Sequence, residues 1–304
     1  MSAETNLIMD ADLAKVREVE FVNLFEENVK KLMEALGVTR KIAKAEGTVL
    51  KSYVADGTLE DGEVAEGELI PLSHFETKPV SFKEITLKKW RKATSAEAII
   101  DKGYEQAVDM TTDKMLSLVQ KGIRADFFDF LADAGTEKED EKTHEKYTTG
   151  TVVTGKTFQD AIAQAWGSLQ VLFEDNDISA VYFVNPMDVA DYLGSATVTT
   201  QTAFGFTYIK DFLGMGTAIL NKDVPKGTVY ATASENIVLY YINVKGSGLN
   251  NAFAFESDET GYIGIHEVPD YNNMTVSDTV VSGIVLFPER ADGIVVSKIT
   301  NSVG

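Results

Sequence analysis

Residues 95–133 read SAEAIIDKGYEQAVDMTTDKMLSLVQKGIRADFFDFLAD, and this stretch decides the fold class. Ser95 is a good helix N-cap, and Glu97 and Glu105 favour the positive end of the helix that follows. The stretch contains no proline. Apolar residues recur at Ile99/Ile100, Ala107/Val108, Met115, Leu118/Val119, Ile123 and Phe127/Phe128, in steps of three or four residues or their sums. The spacing predicts one helix from Ser95 to Asp133, on the order of 55 Å long at about 1.5 Å per residue. Ala134-Gly135 supplies its stop. A helix of that length exceeds the needs of a compact domain and requires neighbours along its whole length.

Working outward, Asp10 to Leu36 reads as a second helix, with a stripe of Leu13, Val16, Val19, Leu24, Val29, Leu32/Met33 and Leu36 and with Gly37 as its stop. It docks either on its own domain or on another chain. From Gly47 the period changes. Residues 48–54 are strand-like, and residues 80–90 form a second strand candidate whose alternation slips at Glu84, as a bulge or strong twist does. Residues 54–79 lie between them, punctuated by Gly57, Gly62, Gly67, Pro71 and Pro79. So long a connection is unusual inside a compact domain and reads as a protruding arm.

The charges on the arm are polarised. Asp56, Glu60, Asp61, Glu63, Glu66 and Glu68 crowd its tip, with no Lys or Arg among residues 56–68. Lys83, Lys88, Lys89, Arg91 and Lys92 crowd its base, against Glu84 alone. Tip and base of one extended hairpin do not easily meet each other, but they can meet head-to-tail on neighbouring copies. The bland alternative is two solvated charged segments.

After the long helix, residues 136–153 form a charged connector that should be exposed. Residues 158–173 read as an amphipathic helix capped by Thr157, residues 180–184 as a short buried strand, and Asn185-Pro186 as the opening of another helix. Further strand candidates follow to Ile299, so the whole is α+β and strand-rich toward its C-terminus.

Composition bounds the function. The 304 residues carry a formal charge of −19 and no cysteine, which excludes disulfides and thiolate chemistry. The acidity argues against tight nucleic-acid contact over most of the surface, without excluding a protein that surrounds DNA. The N-terminus lacks the pattern of a signal peptide, and no apolar run reaches the roughly 20 residues of a membrane span, so no membrane contact is expected. No catalytic, cofactor or metal site emerges. His74, His144 and His266 lack metal spacing, Phe212-Leu213-Gly214-Met215-Gly216 reads as a turn rather than a phosphate cradle, and Glu174-Asp175-Asn176-Asp177 lacks the glycine and terminal glutamate of a calcium loop. A non-enzymatic structural protein is the leading class.

The order of parts resembles the major capsid proteins of tailed bacteriophages, with the Hong Kong 97-type fold. The resemblance rests on the acidic arm with Val64-Ala65-Glu66-Gly67-Glu68-Leu69-Ile70-Pro71, the return strand Val80-Ser81-Phe82-Lys83-Glu84-Ile85-Thr86-Leu87, and the long helix directly after it. Val181-Tyr182-Phe183-Val184-Asn185-Pro186 and the late strand Gly283-Ile284-Val285-Leu286-Phe287 complete it.

The resemblance implies an N-terminal arm (1–46), an extended loop over an adjacent subunit (47–94) and a peripheral domain with a long spine helix (95–155 and about 253–290). It also implies an axial domain (about 156–252 and 291–304). It further implies hexamers and pentamers of this chain in an icosahedral shell around packaged double-stranded DNA, first built as a procapsid in the host bacterial cytoplasm. The roughly 46 residues before the loop are too few for a fused scaffolding segment, so a separate scaffolding protein is expected, with Asp10–Leu36 as its candidate contact, together with a portal. Lys51, Lys78 and Lys83 are available for cross-linking, but nothing selects a pair, so non-covalent locking is expected. Two other readings stay open: an encapsulin-like nanocompartment shell that loads protein cargo, and a cytoplasmic α/β enzyme with its site in residues 156–252.

Overall fold

The computed structural model describes residues 10–64, 69–132, 134–139, 146–148, 150–173, 178–195, 200–203, 206–246, 248–257 and 259–300. The chain opens with α1 (Asp10–Leu36), β1 (Lys41–Ala43) and the hairpin β2 (Val49–Thr58) and β3 (His74–Glu84). Next come β4 (Lys88–Ser95), α2 (Ala96–Lys102) and α3 (Met110–Ala132), then the short pair β5 (Glu137–Glu139) and β6 (Lys146–Thr148). The middle runs β7 (Thr151–Gly155), α4 (Phe158–Phe173), β8 (Ala180–Val184), α5 (Pro186–Ser195), β9 (Gln201–Ala203), β10 (Phe206–Ile209), β11 (Thr217–Leu220) and β12 (Thr228–Ala233). It closes with β13 (Ile237–Tyr241), α6 (Leu249–Phe253), β14 (Ile263–Asp270), β15 (Thr275–Ser282), β16 (Val285–Pro288) and β17 (Ile294–Ile299).

The predicted single long helix is two helices. Ser95 caps α2 as expected, its hydroxyl accepting from the Ala98 N–H at 3.3 Å. Gly103 then takes a positive φ with extended ψ (φ +80, ψ 154), a region open essentially to glycine alone and costing other residues about 1–3 kcal/mol, and α2 ends after seven residues. A π-helical turn at Glu105–Asp109 leads into α3, whose 23 residues span about 35 Å at the usual rise. The Val108 carbonyl at this junction accepts from Thr111 Oγ1 and Thr112 Oγ1, each at 2.8 Å, and from Lys92 Nζ at 2.9 Å. The apolar periodicity carries across the break, which is why the sequence pattern reads as one element.

The main core lies between α1, α3 and one face of a seven-stranded sheet ordered β7-β17-β12-β8-β11-β10-β9. β8 is buried on both faces, and its alternation assigns them. Val181 and Phe183 face α3, where Phe183 meets Phe127 and Phe128 edge-on at 5.3 and 5.5 Å between ring centroids. Tyr182 and Val184 join a second core with Ala161, Ile162, Ala165 and Leu169 of α4. Gly155 permits that close packing, since a Cβ there would sit 2.3 Å from the Ala161 nitrogen. β17, near the C-terminus, is inserted between β7 and β12, parallel to the first and antiparallel to the second.

α1 docks on its own chain. Phe21, Phe25, Val29, Leu32 and Leu36 are at most 5% exposed in the main core. Its end is capped by Gly37 (φ +63), with the Gly37 N–H bonding the Glu34 carbonyl at 3.2 Å and the Val38 N–H bonding the Met33 carbonyl at 2.8 Å. This is the paired-bond termination that a glycine after the last turn allows.

Two three-stranded sheets complete the body: β14-β15-β4, against which α1 also packs, and β1-β13-β16. The phase slip at Glu84 is therefore a change of sheet rather than a bulge. β3 ends there, and three residues later β4 pairs with β15.

Candidate subunit interface

The arm grows from a well-anchored root. β2 and β3 pair antiparallel from Val49↔Glu84 to Thr58↔His74. The register shifts between Ser52 and Tyr53, whose partners are Ser81 and Pro79, and a strand proline tolerates such an irregular position. The shift lies where the hairpin touches the body. The Tyr53 N–H donates to the Glu289 carbonyl at 3.1 Å, the Ala291 N–H donates to the Tyr53 carbonyl at 3.2 Å, and Ser52 Oγ donates to the Glu289 carbonyl at 3.0 Å. Leu50 and Ile85 are buried beneath the root against Ile242, Val285 and Phe287.

Beyond the root the arm leaves the body. Leu59 is 81% exposed, Leu69 94%, Ile70 73%, Leu72 94% and Phe75 68%. Clustered exposure of this kind marks a contact surface. Glu60, Asp61 and Glu63 stand among them, exposed. Asp56 lies on β2 opposite Glu76, and Glu66 and Glu68 lie outside the described residues.

The predicted basic base divides. Only Lys83 belongs to the hairpin, opposite Leu50. Lys88, Lys89, Arg91 and Lys92 belong to β4, the edge strand of the β14-β15-β4 sheet, because the chain changes sheets after Glu84. Two of these are committed within the chain: Lys88 pairs with Asp126, and Lys92 pairs with Asp278 at 2.9 Å. Arg91 donates to Ser277 Oγ at 2.9 Å and remains largely exposed, as does Lys89.

The periodicity did not single out the groove beside these residues. Trp90, Met110, Met115, Leu118 and Val119 form an apolar floor, and Arg91, Lys102 and Lys114 stand at its edges. Met110 is 64% exposed and Leu118 54%, although Leu118 falls on the apolar pattern of the long stretch. The signal available in the sequence was the width of that stripe, which exceeds what the chain itself covers. Arm and groove thus have matching character, one apolar and acidic, the other apolar and basic.

Among the described residues, no group of three or more His, Asp and Glu is placed to hold a metal ion. Phe212–Gly214 is a 3-10 turn feeding β11, and Gly216 (φ +137) is pressed against the Ala180 carbonyl, where a Cβ would sit at 2.1 Å. The Gly-x-Gly of the sequence is the predicted turn. The acidic run 174–177 and His144 lie outside the described residues. No helix among the described residues is long and apolar enough to cross a membrane.

No sequence-family model and no curated protein sequence matches the chain. Solved structures do match it, over nearly its whole length. The cyanophage A-1(L) capsid aligns at a TM-score of 0.54 with 12% identity, covering 89% of this chain and 92% of its own. The chain has the Hong Kong 97-type capsid fold. The virus-like particle from Pyrococcus furiosus aligns at 0.50 with 13% identity, covering 92% of this chain and 98% of its own. The mature capsid of bacteriophage PhiM1 aligns at 0.50 with 8% identity, over 86% and 85%. At such identities the likeness is one of fold alone.

Proposed function

We propose that this chain is a major capsid protein of the tailed-phage type, a structural subunit rather than an enzyme. Its copies assemble as hexamers and pentamers into an icosahedral shell enclosing double-stranded DNA. The observation that carries the reading is the arm. A lone subunit leaves Leu59, Leu69, Ile70, Leu72 and Phe75 in water, on a fold shared with phage capsids.

In this reading the arm of one copy lies along the groove of the next, burying its apolar residues over Trp90, Met110 and Leu118. Glu60, Asp61 and Glu63, with Asp56, Glu66 and Glu68, approach Lys83, Lys89, Arg91, Lys102 and Lys114. Lys88 and Lys92 contribute through the internal pairs that shape the groove wall. The seven-stranded module around α4 is the axial domain at capsomer centres, and α2–α3 with the β14-β15-β4 sheet is the peripheral domain. The net charge of −19 suits a shell that encloses DNA without gripping it. A separate scaffolding protein and a portal are the expected assembly partners, the virion is the expected location, and assembly takes place in the host bacterial cytoplasm.

A second reading, an encapsulin-like shell of the same fold around protein cargo, differs from the first in what the particles contain. Electron microscopy of the expressed chain, with and without a co-expressed scaffold, tests the shell. Nuclease-protected DNA in the particles supports the capsid, and a co-purified protein cargo without DNA supports the second reading. A chain that stays monomeric under all these conditions overturns both.

A further inference from the structure

The N-terminal half of α1 is fastened by charge as well as by its apolar stripe. Arg17 Nη2 donates to both carboxylate oxygens of Glu267 on β14, at 2.6 and 2.7 Å, and Nη1 reaches Asp109 of the π-helical turn at 3.3 Å. Its guanidinium lies 4.6 Å from the Tyr104 ring centroid, and the Tyr104 hydroxyl approaches Glu267 at 3.4 Å. Glu18 accepts from the Glu267 backbone N–H, and its Oε1 lies 3.4 Å from Nδ1 of His266. On β15, Asp278 accepts from Lys92 Nζ at 2.9 Å and Thr112 Oγ1 at 3.3 Å. Glu20 and Asp113 line a cavity together with Arg17, Glu18, Glu267 and Asp278, and Glu256 acts on Glu18 from the neighbouring bridge to Ile265.

The charges do not balance. The side chains of Glu18, Glu267 and Asp278 are 10%, 10% and 4% exposed, and the cations against them are Arg17 and Lys92, at 20% and 18%. Among the described residues, three well-buried anions face two cations. The nearest neutralising group is His266, and its Nδ1 is buried without a hydrogen-bond partner among the described residues, as is Asp278 Oδ1. A neutral imidazole leaves one nitrogen without a proton, whereas a charged imidazole carries N–H on both and donates at Nδ1.

We propose that this cluster is a proton-operated clamp. Uptake of one proton from solvent, held between His266 Nδ1 and the Glu18 carboxylate, brings the buried charge to balance and fastens α1 to β14. Loss of that proton leaves an uncompensated buried carboxylate and loosens the helix. Burial pushes the Glu18 carboxyl above the ordinary carboxylate range, opposed by the Glu267 N–H and by His266, and burial also raises Glu267 against the pull of Arg17. Groups raised in this way add most stability to the docked state below their unfolded value and lose it as pH rises through the folded one. The clamp therefore closes in mild acid and slackens toward alkaline pH. It acts within one chain and stands whether or not the shell reading does.

Hydrogen exchange of the full, unassembled chain from pH 5.5 to 8, corrected for intrinsic rates, tests this. Amides of residues 21–33 are expected to lose protection as the pH rises across the range, while β12 and β17 stay flat. Glu18→Gln keeps the acceptor for the Glu267 N–H without the charge and should flatten the α1 profile, and His266→Asn should flatten it too. The wild-type profile decides even where a variant folds poorly. Flat wild-type protection in α1, an equal loss in β12 and β17, or undiminished pH dependence in both variants overturns the clamp.

Discussion

Leu72→Ser is the sharpest probe of the arm. Leu72 is 94% exposed in the isolated chain, so its apolar surface contributes almost nothing to folding, and surface changes of this kind shift stability by less than about 0.5 kcal/mol. If the arm is buried on a neighbour, nearly the whole side chain is transferred from water, worth about 1.5–3 kcal/mol per contact. A loss of about 2 kcal/mol weakens each contact roughly 30-fold, and every subunit of a closed ring makes that contact. Thermal melting of the dilute subunit should be unchanged, while light scattering should show assembly only at far higher concentration or not at all. Assembly at the wild-type concentration would refute the argument, as would a melting temperature lowered by several degrees, because Leu72 would then be a folding residue.

Other perturbations probe separate links. Reversing Glu63, Glu66 and Glu68 to Lys should block assembly while circular dichroism stays native, and normal shells from that variant would show the acidic tip to be only solvated. Leu118→Glu places a charge on the groove floor at a half-exposed position. It should abolish particles on electron microscopy while costing the subunit little in denaturant titration. Gly103→Ala should destabilise the chain by about 1–3 kcal/mol in urea titration, because the positive-φ, extended-ψ backbone rather than crowding demands glycine there, nothing lying within 4 Å of the added Cβ. Arg40 holds the Glu289 carboxyl below its ordinary range through a hydrogen bond. That contribution is present above the unfolded carboxylate value and fades as pH falls through the folded one, so the acid sensitivity of the arm root, followed by hydrogen exchange, should shrink in Arg40→Met.

The elements that the sequence made legible are those whose local signals agree. α1 runs from Asp10 to Leu36 as its stripe and Gly37 predict, and β8 is buried as its unbroken apolar run predicts. The arm follows from glycines, prolines and a reversal of period. The spine differs from the single predicted helix because the apolar periodicity persists through the π-helical turn, and periodicity alone does not register the positive φ of Gly103. The slip at Glu84 was visible, yet its cause was tertiary: β3 and β4 belong to different sheets. That same change moved four of the five basic residues off the arm and bound Lys88 and Lys92 to carboxylates far along the chain, Asp126 and Asp278. The cluster around Glu18 unites residues from α1, α3, β4, β14 and β15, and no spacing in a linear sequence encodes such a meeting.

The central claim is that the arm of one copy completes the surface of another. Cryo-electron microscopy of particles from the expressed chain tests it most directly. The account predicts closed shells of hexamers and pentamers in which Leu69, Ile70 and Leu72 of one subunit lie over Trp90, Met110 and Leu118 of its neighbour. Shells in which the arm stands free in solvent or folds back on its own subunit, or a chain that remains monomeric at high concentration with and without a scaffold, would contradict it.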